Sequence, residues 1–206
     1  MCRGYSPTTR VTARSKSGSE LRVSGPPATA SERVHVRSAR CDDIARMAAI
    51  YAHYVLHGLA SFEVDPPDAA EMARRHQNVI SLGLPYLVAE AGGRLAGYAY
   101  AAPYRTRPAY RYTVENSIYV HHECAGQGIG GALLAPLIEA CAAAGCRQMV
   151  AVIGDSENRA SIKLHEKFGF ARVGLLPAVG WKFNRWVDSV LMQRALGPGD
   201  AIPPNM

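Results

Sequence analysis

The chain has 206 residues, 48% hydrophobic and 19% charged, a balance that suits one globular domain with its own core. Its formal charge of +6 would point to nucleic acid if it covered a folded surface, but residues 1–33 hold Arg3, Arg10, Arg14, Lys16, Arg22 and Arg33 against only Glu20 and Glu32. The remainder is close to neutral, so no nucleic-acid partner is expected.

No apolar run approaches the roughly 20 residues a membrane span needs, and no membrane association is expected. The five cysteines, Cys2, Cys41, Cys124, Cys141 and Cys146, show neither zinc spacing nor a disulfide framework. That implies a reducing, cytoplasmic setting and no metal.

Residues 1–32 are rich in Ser, Thr, Arg, Pro and Gly without apolar periodicity. They read as a disordered basic extension or the product of an upstream start codon, with an organelle transit peptide as the alternative. The folded domain is expected over 33–196 and a flexible tail over 197–206. Within the domain, 34–38 reads as a strand. Ile44, Met47, Ala48, Tyr51 and Val55 recur at helical spacing, with Gly58 as C-cap. Asp65-Pro66-Pro67-Asp68 opens a second helix that ends near Gly83-Leu84-Pro85. Strands at 86–91 and 94–101 flank the hairpin signal Gly92-Gly93. A long strand over 112–120 runs into glycines and a helix whose apolar stripe is Leu133, Leu134, Leu137, Ile138 and Cys141. Pro136 inside that helix is unusual. A strand over 148–153, a helix over 159–168 and strands over 170–174 and 186–194 complete the order β-α-α-β-β-β-α-β-α-β-β. A hairpin together with a βαβ crossover implies a mixed α/β architecture, a sheet flanked by helices.

The segment Ala125-Gly126-Gln127-Gly128-Ile129-Gly130-Gly131 joins a strand to a helix N-terminus. Such a turn is an anion site, because the first helical N–H groups lack internal partners and the positive dipole end faces the ligand. Gly126, Gly128 and Gly131 satisfy the dinucleotide spacing G-x-G-x-x-G, which would make the protein an oxidoreductase. The 75 residues that follow are too few for the rest of a dinucleotide fold.

A second reading is more specific. The loop resembles the pyrophosphate loop of the GNAT N-acetyltransferases, Gln/Arg-x-x-Gly-x-Gly/Ala, with Ala125 in place of the leading Gln or Arg. Downstream, Asn158-Arg159-Ala160-Ser161-Ile162-Lys163-Leu164-His165-Glu166-Lys167-Phe168-Gly169-Phe170 resembles the second motif of the same family. The segment Tyr104 through Val120, containing Thr113-Val114-Glu115, is similar to the phosphinothricin and methionine sulfoximine acetyltransferases, as are Ala151-Val152-Ile153 and Gly180-Trp181-Lys182-Phe183-Asn184-Arg185-Trp186-Val187-Asp188.

The resemblance implies a GNAT fold, a mixed and mostly antiparallel twisted sheet with about four helices, and a homodimer. It implies acetyl-CoA as donor and the α-amino group of a small amino-acid-like acceptor as target. Glu115 would be the general base and His165 the acid for the leaving thiolate. Ile118, Tyr119 and Val120 would pair with the pantetheine arm. Gly126, Gln127, Gly128, Ile129, Gly130 and Gly131 would hold the pyrophosphate, and Asn158 would reach the same arm. Arg105, Arg107 and Tyr110 would meet an anionic acceptor, with Phe62 and Glu63 covering it. Lys182 and Trp186 would line the pocket or form a dimer contact. Each has a plainer alternative: a structural acceptor at Glu115, a satisfied helix histidine at His165, solvated surface at the arginines and core packing at Phe62. A family member acting on protein N-termini or polyamines, or a non-catalytic acyl-CoA sensor, remains the alternative function.

Overall fold

The computed structural model describes residues 34–204; the extension expected over 1–32 lies outside them. The described chain runs β1 (His35–Ser38), α1 (Ile44–His57), α2 (Ala69–Ser81), β2 (Tyr86–Ala91), β3 (Arg94–Pro103), β4 (Thr113–Val120), α3 (Ile129–Ala143), β5 (Gln148–Gly154), α4 (Arg159–Lys167), β6 (Ala171–Lys182) and β7 (Arg185–Ala195). The seven strands form one sheet in the order β1-β2-β3-β4-β5-β7-β6. Only β4 and β5 pair in parallel; every other neighbouring pair is antiparallel. This is the mixed, mostly antiparallel sheet with four helices that the sequence predicts.

Local chemistry sets the boundaries. Asp68 caps α2 by accepting the Glu71 amide at 2.7 Å, and Asn158 caps α4 by accepting the Ser161 amide at 3.2 Å. Gly58 ends α1 as expected, but in an extended conformation (φ −134°) rather than a left-handed one. Its missing Cβ is what matters there, since a Cβ would stand 3.2 Å from the Tyr54 carbonyl oxygen. α3 runs unbroken through Pro136.

Strand alternation divides the polar from the apolar work. On one face of the sheet, Met47, Tyr51 and Val55 of α1 and Met72 and Val79 of α2 pack on Val88 and Tyr98. On the other, Leu133, Leu134, Leu137 and Cys141 of α3 pack on Ala99, Ala101, Val114, Met149 and Ala151. The small residues of β3 let α3 approach closely, and each fully buried leucine of that stripe contributes roughly 2 kcal/mol. Asp43, 1% exposed, ties the start of α1 to β1 by accepting from Arg37 at 2.7 Å and from the Arg40 amide at 2.8 Å.

β6 departs from expectation. It continues to Lys182 rather than stopping near 174. Gly174, Pro177 and Gly180 read as breaks in the sequence. The strand absorbs them as two register shifts against β7, between Arg172 and Gly174 and between Leu176 and Gly180. Pro177 is tolerated because β6 lies at the sheet edge, where one side of the strand pairs with nothing in the sheet order. Phe183 and Asn184 then turn the chain into β7 with φ of 49° and 58°, the left-handed pair a tight hairpin requires. Beyond β7, the Gly199 amide donates to the Leu196 carbonyl at 2.9 Å.

Candidate active-site cleft

β4 and β5 part company halfway along. Their parallel ladder runs from Thr113↔Gln148 to Asn116↔Ala151. Past that point β4 stays with β3, through Ser117↔Tyr100 to Val120↔Gly97, and β5 stays with β7, through Val152↔Leu191 to Gly154↔Ser189. The strands therefore splay, and the wedge between them is a cavity of about 390 Å³. Strand ends with unpaired edges suit an extended, amide-bearing ligand that adds as a strand does.

The cleft gathers most of the predicted residues. Ile118, Tyr119 and Val120 form one wall, and Val152, Ile153 and Gly154 the other. The floor is the loop and first turn of α3: Gly126, Gly128, Ile129, Gly130 and Gly131. Gly126 (φ +78°) and Gly128 (φ +81°) take left-handed backbone to make that turn. The first turn of α3 carries no acidic side chain, so nothing offsets the positive dipole end. Asn158 and His165 complete the rim from α4. Gln127 is not among the lining residues: its side chain turns back and donates to the Glu123 carbonyl at 3.1 Å, shortening its reach.

Glu115 lies outside this lining, on the opposite face of β4 from Asn116. Its cross-strand partners are Ala102 and Val150, so two apolar neighbours flank the carboxyl. Burial holds its pKa above the ordinary carboxylate range, and Arg105 pulls it partly back. Arg105 also stacks over the Tyr104 ring at 4.3 Å, and Tyr104 meets Tyr110 edge-on at 5.9 Å. Arg107 begins the 3₁₀ turn Pro108–Tyr110. Neither Arg107 nor Tyr110 lines the cleft.

The segment between α1 and α2 reaches across the sheet. The Phe62 ring packs on two glycines, Gly180 and Gly154, where a Cβ would come within 2.5 Å and 3.2 Å of ring atoms. Ala60 from the same segment lines the cleft. Glu63 is bound to Arg75 of α2 at 2.6 Å. Beneath them, the Tyr51 and Ser61 hydroxyls lie 2.8 Å apart, and burial pushes the Tyr51 pKa up to about 12. Lys182 neither lines the cleft nor faces outward. It is 5% exposed and donates to the carbonyls of Gly58 at 2.9 Å and Ser61 at 2.6 Å, stapling the segment to β6. Trp186, by contrast, is exposed and packs edge-on against Trp181 at 5.2 Å.

Two lining residues escape a reading of the sequence. Tyr54 of α1 donates its hydroxyl to the Val120 carbonyl at 2.7 Å; in the sequence it sits beside the apolar stripe and looks like more of it. Asn116 is 94% hidden, at 6% exposure. The only hint is a polar residue next to Glu115, so that both faces of one strand carry a polar group. His165 is 3% exposed. Both its ring nitrogens are engaged, Nδ1 with the Ser161 carbonyl at 2.8 Å and Nε2 with the Asn116 amide at 3.1 Å. A ring held this way has no free proton to offer a leaving group, so the expected acid role finds no support in its surroundings. Among the described residues, no cluster of three or more His, Cys, Asp or Glu is arranged to hold a metal ion.

The chain matches the acetyltransferase (GNAT) family over residues 48–170. It is 50% identical over 185 residues to a phosphinothricin N-acetyltransferase of Alcaligenes faecalis, covering 85% of this chain and 94% of that protein. It is 40% identical over 161 residues to an L-methionine sulfoximine/L-methionine sulfone acetyltransferase of Salmonella typhimurium, covering 78% and 94%. The crystal structure of a phosphinothricin acetyltransferase from Sinorhizobium meliloti, in complex with acetyl-CoA, superposes with a TM-score of 0.81 at 45% identity, covering 84% of this chain and 93% of that one.

Proposed function

Because the chain belongs to the acetyltransferase (GNAT) family, we propose that it moves an acetyl group from acetyl-CoA to the α-amino group of a small amino-acid-like acceptor. The relatives named for phosphinothricin and methionine sulfoximine acetylation, and the acetyl-CoA complex of a structural neighbour, support this reading. The observation that carries it is the splay of β4 from β5 above a glycine turn free of acidic side chains. One end of the wedge offers helix N–H groups to a pyrophosphate, and its walls offer unpaired strand edges to a peptide-like arm.

In this reading acetyl-CoA supplies the activated acetyl group and the protein supplies alignment, a base and charge. The amides of Gly128, Ile129, Gly130 and Gly131 hold the pyrophosphate. Backbone groups of Ile118, Tyr119 and Val120 align the arm and stabilise the thioester oxygen. Asn158 closes over the arm from α4. Glu115 takes the proton from the acceptor ammonium, a task suited to a carboxyl whose pKa burial has raised. Arg105, close enough to act on Glu115, pairs with the acceptor's acidic end. Phe62 and Glu63, held over the sheet by Lys182 and Arg75, cover the acceptor.

The enzyme further works as a cytoplasmic homodimer. The four described cysteines are free thiols. The edge strand β6 exposes Val173, Leu175, Leu176, Val179 and Trp181, an apolar run that an isolated edge does not normally present.

Free CoA release on mixing acetyl-CoA with phosphinothricin, methionine sulfoximine, methionine sulfone, ordinary amino acids or a peptide tests the function. Release with the amino-acid-like acceptors is expected. Acetyl-CoA binding without release for any of them would leave a sensor, and release with the peptide alone would leave an N-terminal acetyltransferase.

A further inference from the structure

His165 and Asn116 form a hidden pair at the apex of the cleft, and both line it. The His165 Nδ1 lies 2.8 Å from the Ser161 carbonyl oxygen. A carbonyl only accepts, so Nδ1 carries the ring proton. Burial lowers the His165 pKa, which keeps the ring neutral and leaves Nε2 a bare acceptor. Yet Nε2 stands 3.1 Å from Asn116 Oδ1, also an acceptor. Meanwhile the Asn116 Nδ2, with two N–H groups, is buried without a partner. A hidden amide left unsatisfied costs about 1–3 kcal/mol. Half a turn of the amide about its terminal bond removes both conflicts: Nδ2 then donates to Nε2, and Oδ1 occupies the unpartnered position.

We propose that Asn116 presents its side-chain carbonyl to the cleft apex, where it accepts an amide N–H of the acyl-CoA arm, and that His165 is the positioning residue that fixes this orientation through Nε2. The inference rests on the acetyl-CoA reading of the cleft. The occupant follows from strand geometry. Neighbouring strand residues point to opposite faces, so Asn116 shares the α3 face with Val114 and the glycine-loop side of the cleft. Glu115 points away, toward the face of α1 and α2. An acceptor amine reaching Glu115 is therefore on the wrong side of β4 for Asn116. The CoA arm, which carries two amides between its sulfur and its pyrophosphate, runs past the apex and matches a lone carbonyl acceptor with an N–H donor.

Two measurements decide it. Nitrogen NMR of histidine-labelled wild type at neutral pH reads the His165 tautomer. The Nδ1–H form is expected, while the Nε2–H form or a doubly protonated ring would overturn the assignment. Calorimetric titration of wild type and Asn116→Leu with CoA, and separately with adenosine 3′,5′-bisphosphate, reads the contact. The variant is expected to bind CoA roughly tenfold more weakly and the bisphosphate, which lacks the arm, with unchanged affinity. Equal CoA affinity in both proteins would sink the proposal. Should the leucine variant lose bisphosphate binding as well, its fold is compromised and the wild-type tautomer decides instead. Failure of the acetyl-CoA reading shows differently, as wild type that binds no CoA.

Discussion

The Tyr54 hydroxyl donates to the Val120 carbonyl across 2.7 Å, joining α1 to the strand end that walls the cleft. The same ring lies edge-on to Tyr119 at 5.4 Å, and Tyr119 is boxed further by Tyr51 at 4.9 Å and Tyr98 at 5.3 Å. The acceptor-side helices thus set the position of the backbone proposed to hold the thioester.

Tyr54→Phe removes that bond and keeps the ring. A hydrogen bond of this kind contributes about 1 kcal/mol. Acetyl-CoA binding is expected to weaken about fivefold, with the acceptor KM little changed. Fluorescence titration with acetyl-CoA checks it, and an unchanged dissociation constant would show that α1 does not position Val120.

Glu115 must be ionised to act as a base, and burial raises its pKa while Arg105 lowers it. The acid limb of kcat/KM is therefore expected above the ordinary glutamate range. Arg105→Ala removes the lowering influence and moves that limb to higher pH. Glu115→Gln removes the limb and slows the reaction about 10²- to 10⁴-fold. Stability follows the opposite sign. The folded state holds this proton more tightly than the unfolded chain, so stability is lost as pH rises from the unfolded pKa through the folded one. Glu115→Gln should accordingly melt higher than wild type at neutral pH; a lower melting temperature would place Glu115 as a structural acceptor.

Lys182→Met leaves the Gly58 and Ser61 carbonyls without their ammonium donor. We expect a loss of about 2 kcal/mol in urea unfolding. Because the segment that Lys182 staples carries Phe62 and Glu63, the acceptor KM is expected to rise while acetyl-CoA affinity stays at the wild-type level. A rise confined to acetyl-CoA would assign Lys182 to the cofactor side.

Charge on the β6 edge should dissociate the proposed dimer. Leu175 is 53% exposed and Trp181 56%, so Leu175→Glu costs the monomer little core packing. Sedimentation is expected to show a dimer for wild type and a monomer for the variant. A monomeric wild type would end the proposal.

Some of this was legible without a fold. Element order follows from helical and strand periods, and the ends of α2 and α4 follow from Asp68 and Asn158, because caps and periods are local properties of the chain. The glycine turn was legible for the same reason. The extent of β6 was not, because Pro177 and two glycines look like breaks, and only pairing with β7 shows that an edge strand tolerates them.

The sequence by itself therefore determined the fold class, the glycine turn and the identity of Glu115 as an unusual strand carboxylate, all encoded within one or a few turns of chain. Only the tertiary structure decided what Lys182, Tyr54, Asn116 and His165 do. Each acts on a partner far along the chain, Lys182 on Ser61, Tyr54 on Val120 and His165 on Asn116. Such meetings depend on where β4 leaves β5, a feature set by packing on both faces of the sheet and written in no local pattern.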